Sequence, residues 1–274
     1  MFYQEDNFVN GFIKLMEKCN SKILDIYNDE FFHVIYKKDK SPLTIADKVC
    51  NDIICNHLNA LNFYKDLNIG IVSEENKNDD FMVRKNYKYV WLVDPLDGTK
   101  EFVKKNGQFT VNIGLVDNGL PVFVIVSIPF TGEIYVGIKG KGSYKIHNNI
   151  KTTLKIKKKN YKKKHLNIVA SASHINKETQ EFIAQFNEPN IVNTGSSIKL
   201  LLVAENKADV YPRIAPTSEW DTCAAHAVVK YAGGNVVIHN ETKLFHTITN
   251  EVKYNKENIP VSYTHLRAHE TVDY

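Results

Sequence analysis

The sequence predicts an α/β (α+β) chain in which helices back β-sheets, and three observations carry that expectation. Apolar residues recur at helical spacing near the N-terminus, strictly alternating runs follow in the middle, and strand-like and helix-like segments take turns through the last third. At 274 residues the chain is long enough to bury a large core, as one domain or two lobes.

Phe8, Phe12, Leu15, Met16, Cys19, Ile23, Ile26 and Tyr27 mark a long amphipathic opening helix. A polar turn is expected over residues 37–42. Ile45, Val49, Ile53, Ile54, Leu58 and Leu61 then mark a second helix, introduced by Thr44-Ile45-Ala46-Asp47 in the form of a capping box. Residues 69–72 read as a short strand that delivers Ser73-Glu74-Glu75, and residues 89–93 as a buried strand. Over 109–116 the apolar Phe109, Val111, Ile113 and Leu115 alternate with Thr110, Asn112 and Gly114. Further strands follow the turn signals Asn118-Gly119 and Thr131-Gly132. Gly140-Lys141-Gly142-Ser143 lacks the remaining glycines of a phosphate-binding fingerprint and is expected to be a loop.

Lysines crowd into 151–164 and apolar periodicity stops there, which sets an expected boundary between lobes 1–150 and 151–259. The second lobe reads as a strand at 165–170 and a helix at 177–186 capped by Asn176. Thr194-Gly195-Ser196-Ser197 introduces a helix through Leu200 and Ala204, a strand follows at 208–211, and a last helix over 219–232 ends at Gly233-Gly234.

Composition excludes several classes. With 43% hydrophobic and 24% charged residues the chain is neither disordered nor fibrous. Its longest apolar run, 120–128, is too short to span a bilayer, and the polar, acidic start lacks a signal-peptide core. Cys19, Cys50, Cys55 and Cys223 show neither C-x-x-C nor zinc spacing and read as reduced core thiols of a cytoplasmic protein. The net charge of +4 is mild, and the lysine run has few interleaved aromatics, so a solvated loop is favoured over nucleic-acid binding.

The chemistry is concentrated in Tyr-Lys-Tyr-Val-Trp-Leu-Val-Asp-Pro-Leu-Asp-Gly-Thr-Lys-Glu-Phe, residues 87–102. A buried strand there ends in two carboxylates, Asp94 and Asp97, around Pro95 and ahead of Gly98. With the Leu96 carbonyl, these are the hard oxygen donors a divalent cation prefers, and a helix starting near Gly98 would present amides to a phosphate. The same acids also fit as a turn acid and a helix cap, Asp47 and Asp221 both fit capping patterns, and Glu74 fits a solvated loop.

Three blocks in order decide between these: Ser73-Glu74-Glu75, then residues 91–102, then Ser218-Glu219-Trp220-Asp221-Thr222-Cys223-Ala224-Ala225. Together they resemble the lithium-sensitive, magnesium-dependent phosphomonoesterases typified by inositol monophosphatase. Lys100-Glu101-Phe102, residues 41–47 and residues 211–221 resemble its bacterial 3'(2'),5'-bisphosphate nucleotidase branch. The resemblance spans residues 5–259 and implies a layered αβαβα sandwich with the site between lobes. It implies that Glu74, Asp94, Asp97, Asp221 and the Leu96 carbonyl bind two or three Mg²⁺ ions, while Asp47, Thr99 and Glu74 serve catalysis. Gly98, Thr99, Ser171, His174, Ser196, Lys199, Arg213 and Asp221 are implied to contact substrate; Ala172 stands where relatives often carry Arg. The implied reaction converts adenosine 3',5'-bisphosphate to AMP and phosphate in sulfur assimilation. An inositol or sugar monophosphate phosphatase and a catalytically silent nucleotide- or metal-binding homologue are the alternatives. The implied partner is a small nucleotide, with no nucleic acid and no integral membrane segment. The expected enzyme is a monomer, cytoplasmic or peripheral at the inner membrane face.

Residues 260–274 break from this pattern and resemble the translation of a sequencing-library adapter. They are expected to form a non-native tail that packs poorly against the body.

Overall fold

A computed structural model describes residues 1–29, 34–37, 42–61, 67–171, 175–238, 251–257, 260–261 and 264–268. The chain opens with α1 (Asp6–Tyr27), whose buried stripe includes Phe8, Phe12, Met16, Cys19 and Ile23, as the helical period requires. Across the stretch expected to be a polar turn, β1 (Val34–Tyr36) and β2 (Pro42–Thr44) pair antiparallel. Helix α2 (Ile45–Ala60) begins at the expected capping box, where Asp47 Oδ2 accepts from the Thr44 amide at 2.8 Å and the Thr44 hydroxyl at 2.6 Å.

Next come β3 (Ile69–Ser73), α3 (Phe81–Arg84), β4 (Tyr89–Asp97), α4 (Thr99–Val103), β5 (Thr110–Asp117), β6 (Leu120–Ile128), β7 (Glu133–Ile138), β8 (Gly142–His147) and β9 (Ile150–Leu154). Their strands form one seven-stranded sheet in chain order, parallel only between β3 and β4. Of the loop expected at 140–143, Gly140 and Lys141 turn between β7 and β8, while Gly142 and Ser143 already begin β8, which forms a hairpin with β9. Asn148 and Asn149 take the left-handed conformation, φ 50° and 61°, that two-residue hairpin turns need, and Asn tolerates it better than most residues. The first sheet therefore runs on to Leu154, into the lysine-rich stretch.

The rest of the described chain contributes β10 (Asn167–Ser171), α5 (Lys177–Ile183), β11 (Asn190–Thr194), α6 (Ile198–Ala204), β12 (Val210–Arg213), β13 (Thr217–Ser218), α7 (Glu219–Tyr231), β14 (Gly234–Ile238), β15 (Pro260–Val261) and β16 (Thr264–Ala268). A five-stranded sheet has the order β11-β10-β12-β16-β14. The expectation of a poorly packed tail fails at the level of the backbone. β16 is inserted between β12 and β14, antiparallel to both, and β15 pairs with β13. An interior slot offers hydrogen bonds on both edges to any extended chain without proline, and residues 264–268 fill it.

Strand alternation sorts the core. Trp91 and Val93 of β4 point into a cluster with α1 and α2, while Val90 and Leu92 point into a second cluster with α7. The layers are thus α1 and α2, the seven-stranded sheet, α6 and α7, the five-stranded sheet, and α5 against β12. This is the layered α/β architecture the sequence predicts. Among the described residues, no helix is long and apolar enough to cross a membrane.

A buried arginine ties the chain's later part to this frame. Arg84, 1% exposed, donates to the Asp79 carbonyl at 3.0 Å, to Asn255 Oδ1 at 2.7 Å and to the Lys256 carbonyl at 3.0 Å. Glu219 accepts from the amides of Asn255 and Lys256 at 2.6 and 3.0 Å. A lysine ammonium cannot reproduce the planar fork, so Arg84→Lys is expected to cost about 1–3 kcal/mol by leaving buried acceptors unpaired. Thermal melting is expected to move down by several degrees; an unchanged melt would show that the clasp carries no stability.

Candidate active site

A β-bulge shapes the acidic turn. β4 does not end at Val93 as the apolar run suggested but continues through Pro95 to Asp97, with a register shift between the pairs Asp94–Asn112 and Asp97–Thr110. In a regular strand, residues three apart face opposite sides of the sheet. Here one extra residue enters the strand, Leu96 swings to the α1/α2 side, and Asp94 and Asp97 share the α7 side. Pro95 has no amide to lose from the ladder at this break. Gly98 follows with φ 93° and caps α4, so Asp97 itself is not the helix cap.

Each acid commits one oxygen locally. Leu96 N–H donates to Asp94 Oδ1 at 3.1 Å, Ser196 Oγ and Ser197 N–H donate to Asp97 Oδ2 at 2.7 and 2.5 Å, and Thr217 Oγ1 and Ser218 N–H donate to Asp221 Oδ2 at 2.6 and 2.9 Å. Among the described residues, the second oxygen of each of these three carboxylates carries no hydrogen bond. Asp221 thus caps α7 as its sequence pattern suggests and still keeps one oxygen for another role.

Electrostatics shows that the acids converge. Burial, then the neighbouring charges of Glu74, Asp97 and Asp221, pushes the Asp94 carboxyl well above the usual range. Burial pushes Glu74 up to about 7 against the attraction of Lys37, with Asp221 adding to the rise, and pushes Asp221 up to about 6 with Asp97 adding. The cluster is not a finished cage, however: among the described residues, no three His, Cys, Asp or Glu side chains stand in metal-holding geometry. Glu74 is instead ion-paired with Lys37, which reaches Glu74 at 2.8 Å and Glu75 at 2.5 Å. The donor set nevertheless suits a hard divalent cation, being all oxygen, anionic and mutually repulsive.

Asp97 and Asp221 line a cleft together with Ser196, Ser197, Lys199, Tyr211, Arg213 and Thr217. Lys199 is buried, donates to the Ser196 carbonyl at 2.6 Å and lies over the Tyr211 ring. Burial holds its ammonium down to about 8 although Asp97 attracts it. Arg213 donates to the Pro216 carbonyl at 3.2 Å and is half-buried. Two cations and two carboxylates in one cleft suit a ligand that brings both phosphate and metal. Beside it, Thr99 Oγ1 lies 3.1 Å from Asp47 Oδ1 and 3.2 Å from the Leu96 carbonyl, and burial raises the Asp47 carboxyl. Asp47 is therefore both cap and neighbour of the site.

Ser171 ends β10 in register with Thr194 and is not among the residues lining that cleft. His174 lies outside the described residues. Sequence reasoning missed Lys37, Tyr211, Thr217, Ser197, Thr110 and Asn112 as parts of this neighbourhood. The signal for the last two was present: polar residues at every second position of a strand whose partners turn out to be Asp97 and Asp94.

Comparison with known proteins identifies the chain's relatives. Residues 4–271 match the model of the inositol monophosphatase family. The 3'(2'),5'-bisphosphate nucleotidase CysQ of Escherichia coli strain K12 is 36% identical over 224 residues, 81% of this chain and 87% of that protein. Its namesake from Buchnera aphidicola is 36% identical over 249 residues, 88% of each chain. The crystal structure of CysQ from Bacteroides thetaiotaomicron, described as a bacterial member of the inositol monophosphatase family, superposes with a TM-score of 0.78. It is 36% identical, and the match covers 95% of this chain and 97% of that one. The chain belongs to the inositol monophosphatase family.

Proposed function

We propose that the chain is a phosphoric monoester hydrolase of 3'(2'),5'-bisphosphate nucleotides, converting adenosine 3',5'-bisphosphate and water to AMP and phosphate in support of sulfur assimilation. The observation that carries this is the cleft that Asp97 and Asp221 line together with Lys199 and Arg213. The nucleotidase relatives, similar over most of their length, favour a nucleotide over an inositol phosphate.

In this proposal Glu74, Asp94, Asp97, Asp221 and the Leu96 carbonyl hold magnesium, in two or three sites. Bound magnesium supplies positive charge to the phosphoryl group and acidifies a water. The Thr99 hydroxyl would orient the attacking water while Asp47 Oδ1 accepts the Thr99 hydrogen, and Asp47 would take up a proton through it. Glu74 contributes a second carboxylate to the same task. Gly98 and Thr99 flank the phosphate, and Lys199 and Arg213 bind the second phosphate, Arg213 through its fork and Lys199 as a point charge. Ser196, and with it Ser171 and His174, contact the nucleoside. The working form is a cytoplasmic monomer; no observation favours attachment to a membrane face.

The test is phosphate release from adenosine 3',5'-bisphosphate and inositol 1-phosphate, each with Mg²⁺, with a chelator and with added Li⁺. The expected result is Mg²⁺-dependent, Li⁺-inhibited turnover that favours the nucleotide by at least about tenfold, about 1.4 kcal/mol of transition-state discrimination. Preference for inositol 1-phosphate would assign the chain to the family's other branch, and no turnover of either would leave a silent binding protein.

A further inference from the structure

Between β5 and the turn that precedes α6 lies a closed polar network in which Thr110, Asn112 and Ser197 have no part in the proposed chemistry. Thr110 and Asn112 are wholly buried and Ser197 is 4% exposed. Thr110 Oγ1 stands 2.6 Å from Ser196 Oγ and 2.8 Å from Ser197 Oγ. Asn112 Nδ2 donates to Thr110 Oγ1 at 3.0 Å, and Ser197 Oγ donates to Asn112 Oδ1 at 2.8 Å. Buried polar groups are costly unless paired, so a network this deep needs a reason.

Counting hydrogens gives it a direction. Each hydroxyl has one hydrogen. That of Ser196 goes to Asp97 Oδ2 and that of Ser197 to Asn112 Oδ1. Among the described residues, the Thr110 hydrogen then has the two serine oxygens to choose from. Donation to Ser196 completes a one-way chain from Asn112 Nδ2 through Thr110 and Ser196 to Asp97 Oδ2, where the Ser197 amide also ends. Ser196 accepts this place with φ 57°, a conformation that a non-glycine residue adopts at a cost.

We propose that Thr110 and Asn112 are positioning residues for Asp97: through Ser196 and Ser197 they hold Oδ2 inward, so that Oδ1 is presented to the cleft where the cation and phosphoryl group bind. The inference rests on Asp97 being a magnesium ligand. Supporting partners one step removed from a metal ligand typically change metal affinity by about 10–100-fold when removed.

Thr110→Val removes the hydroxyl and keeps the shape. Mg²⁺ titrated calorimetrically into the folded protein without substrate is expected to bind about tenfold more weakly than to the wild type, with Thr110→Ser restoring the affinity. Half-saturation of phosphate release by Mg²⁺ is expected to shift in parallel. Should Thr110→Val fail to fold, Ser197→Ala, which keeps its amide on Asp97, is read in the same way with a smaller shift. A lowered melting temperature with unchanged Mg²⁺ affinity would mark a purely structural network and overturn the inference. Wild-type protein that binds Mg²⁺ but hydrolyses no nucleotide overturns the proposed activity alone, whereas wild type that does not bind Mg²⁺ overturns both.

Discussion

Asp97→Asn is expected to lower phosphate release by about 100–1,000-fold while leaving the fold intact, the scale set by removing one charge-stabilising group from a transition state. The amide has the carboxylate's shape, and its oxygen can still accept from Ser196 and Ser197, so local geometry has little reason to change. What disappears is a negative charge beside Asp94 and Asp221, both of which Asp97 pushes toward their protonated forms. Relieving that repulsion is expected to hold or raise the melting temperature in the absence of Mg²⁺, and the stabilisation that added Mg²⁺ confers should shrink. Were Asp97 only a turn acid, activity would change by no more than a few-fold and the Mg²⁺ response would persist. Phosphate release at saturating substrate, with melts at zero and high Mg²⁺, separates the two.

How much of this was legible beforehand follows from how local each cause is. The period of α1, the capping box of α2, the alternation of β5, the turn signals ahead of β6 and β7 and the glycines ending α7 are dictated within a few residues, and the sequence shows them. The bulge in β4 is not local. Whether chain continues as strand past Pro95 depends on Asn112 and Thr110 of another strand, so the strand appeared to stop with the apolar run at Val93. For the same reason Asp94 and Asp97 could be named from their motif, but not placed on one face. The hairpin at Asn148-Asn149 was a local signal hidden by the lysines that follow it. The strand at 264–268 is the opposite case: its place depends on an open slot between β12 and β14, which nothing in its own residues announces. Lys37 stayed invisible too, because a lysine in a polar stretch is ordinary until two glutamates meet it.

Gly98→Ala is expected to be the other severe substitution, because two separate costs fall on the residue between Asp97 and Thr99. The backbone there has φ 93°, which any side chain resists, at a cost of about 1–3 kcal/mol. A Cβ would also stand 2.9 Å from the Gln108 carbonyl oxygen and 3.2 Å from Ser196 Cβ. The carbonyl belongs to the backbone entering β5, so it cannot swing away as the end of a flexible side chain would. Either Gln108 moves, taking Thr110 with it, or residue 98 moves, taking Asp97 and Thr99. A displacement of about 1 Å at reacting groups is enough for about a 100-fold loss of rate, so phosphate release should fall by at least that much even where the protein remains folded. Gly11→Ala supplies the contrast. It lies inside α1 with nothing within 4 Å of the new carbon, and alanine there is expected to add about 0.5–1 kcal/mol of stability with activity unchanged. Wild-type turnover by a folded Gly98→Ala would show that the 97–99 turn tolerates movement, and that the close packing of the two loops is not what sets the site.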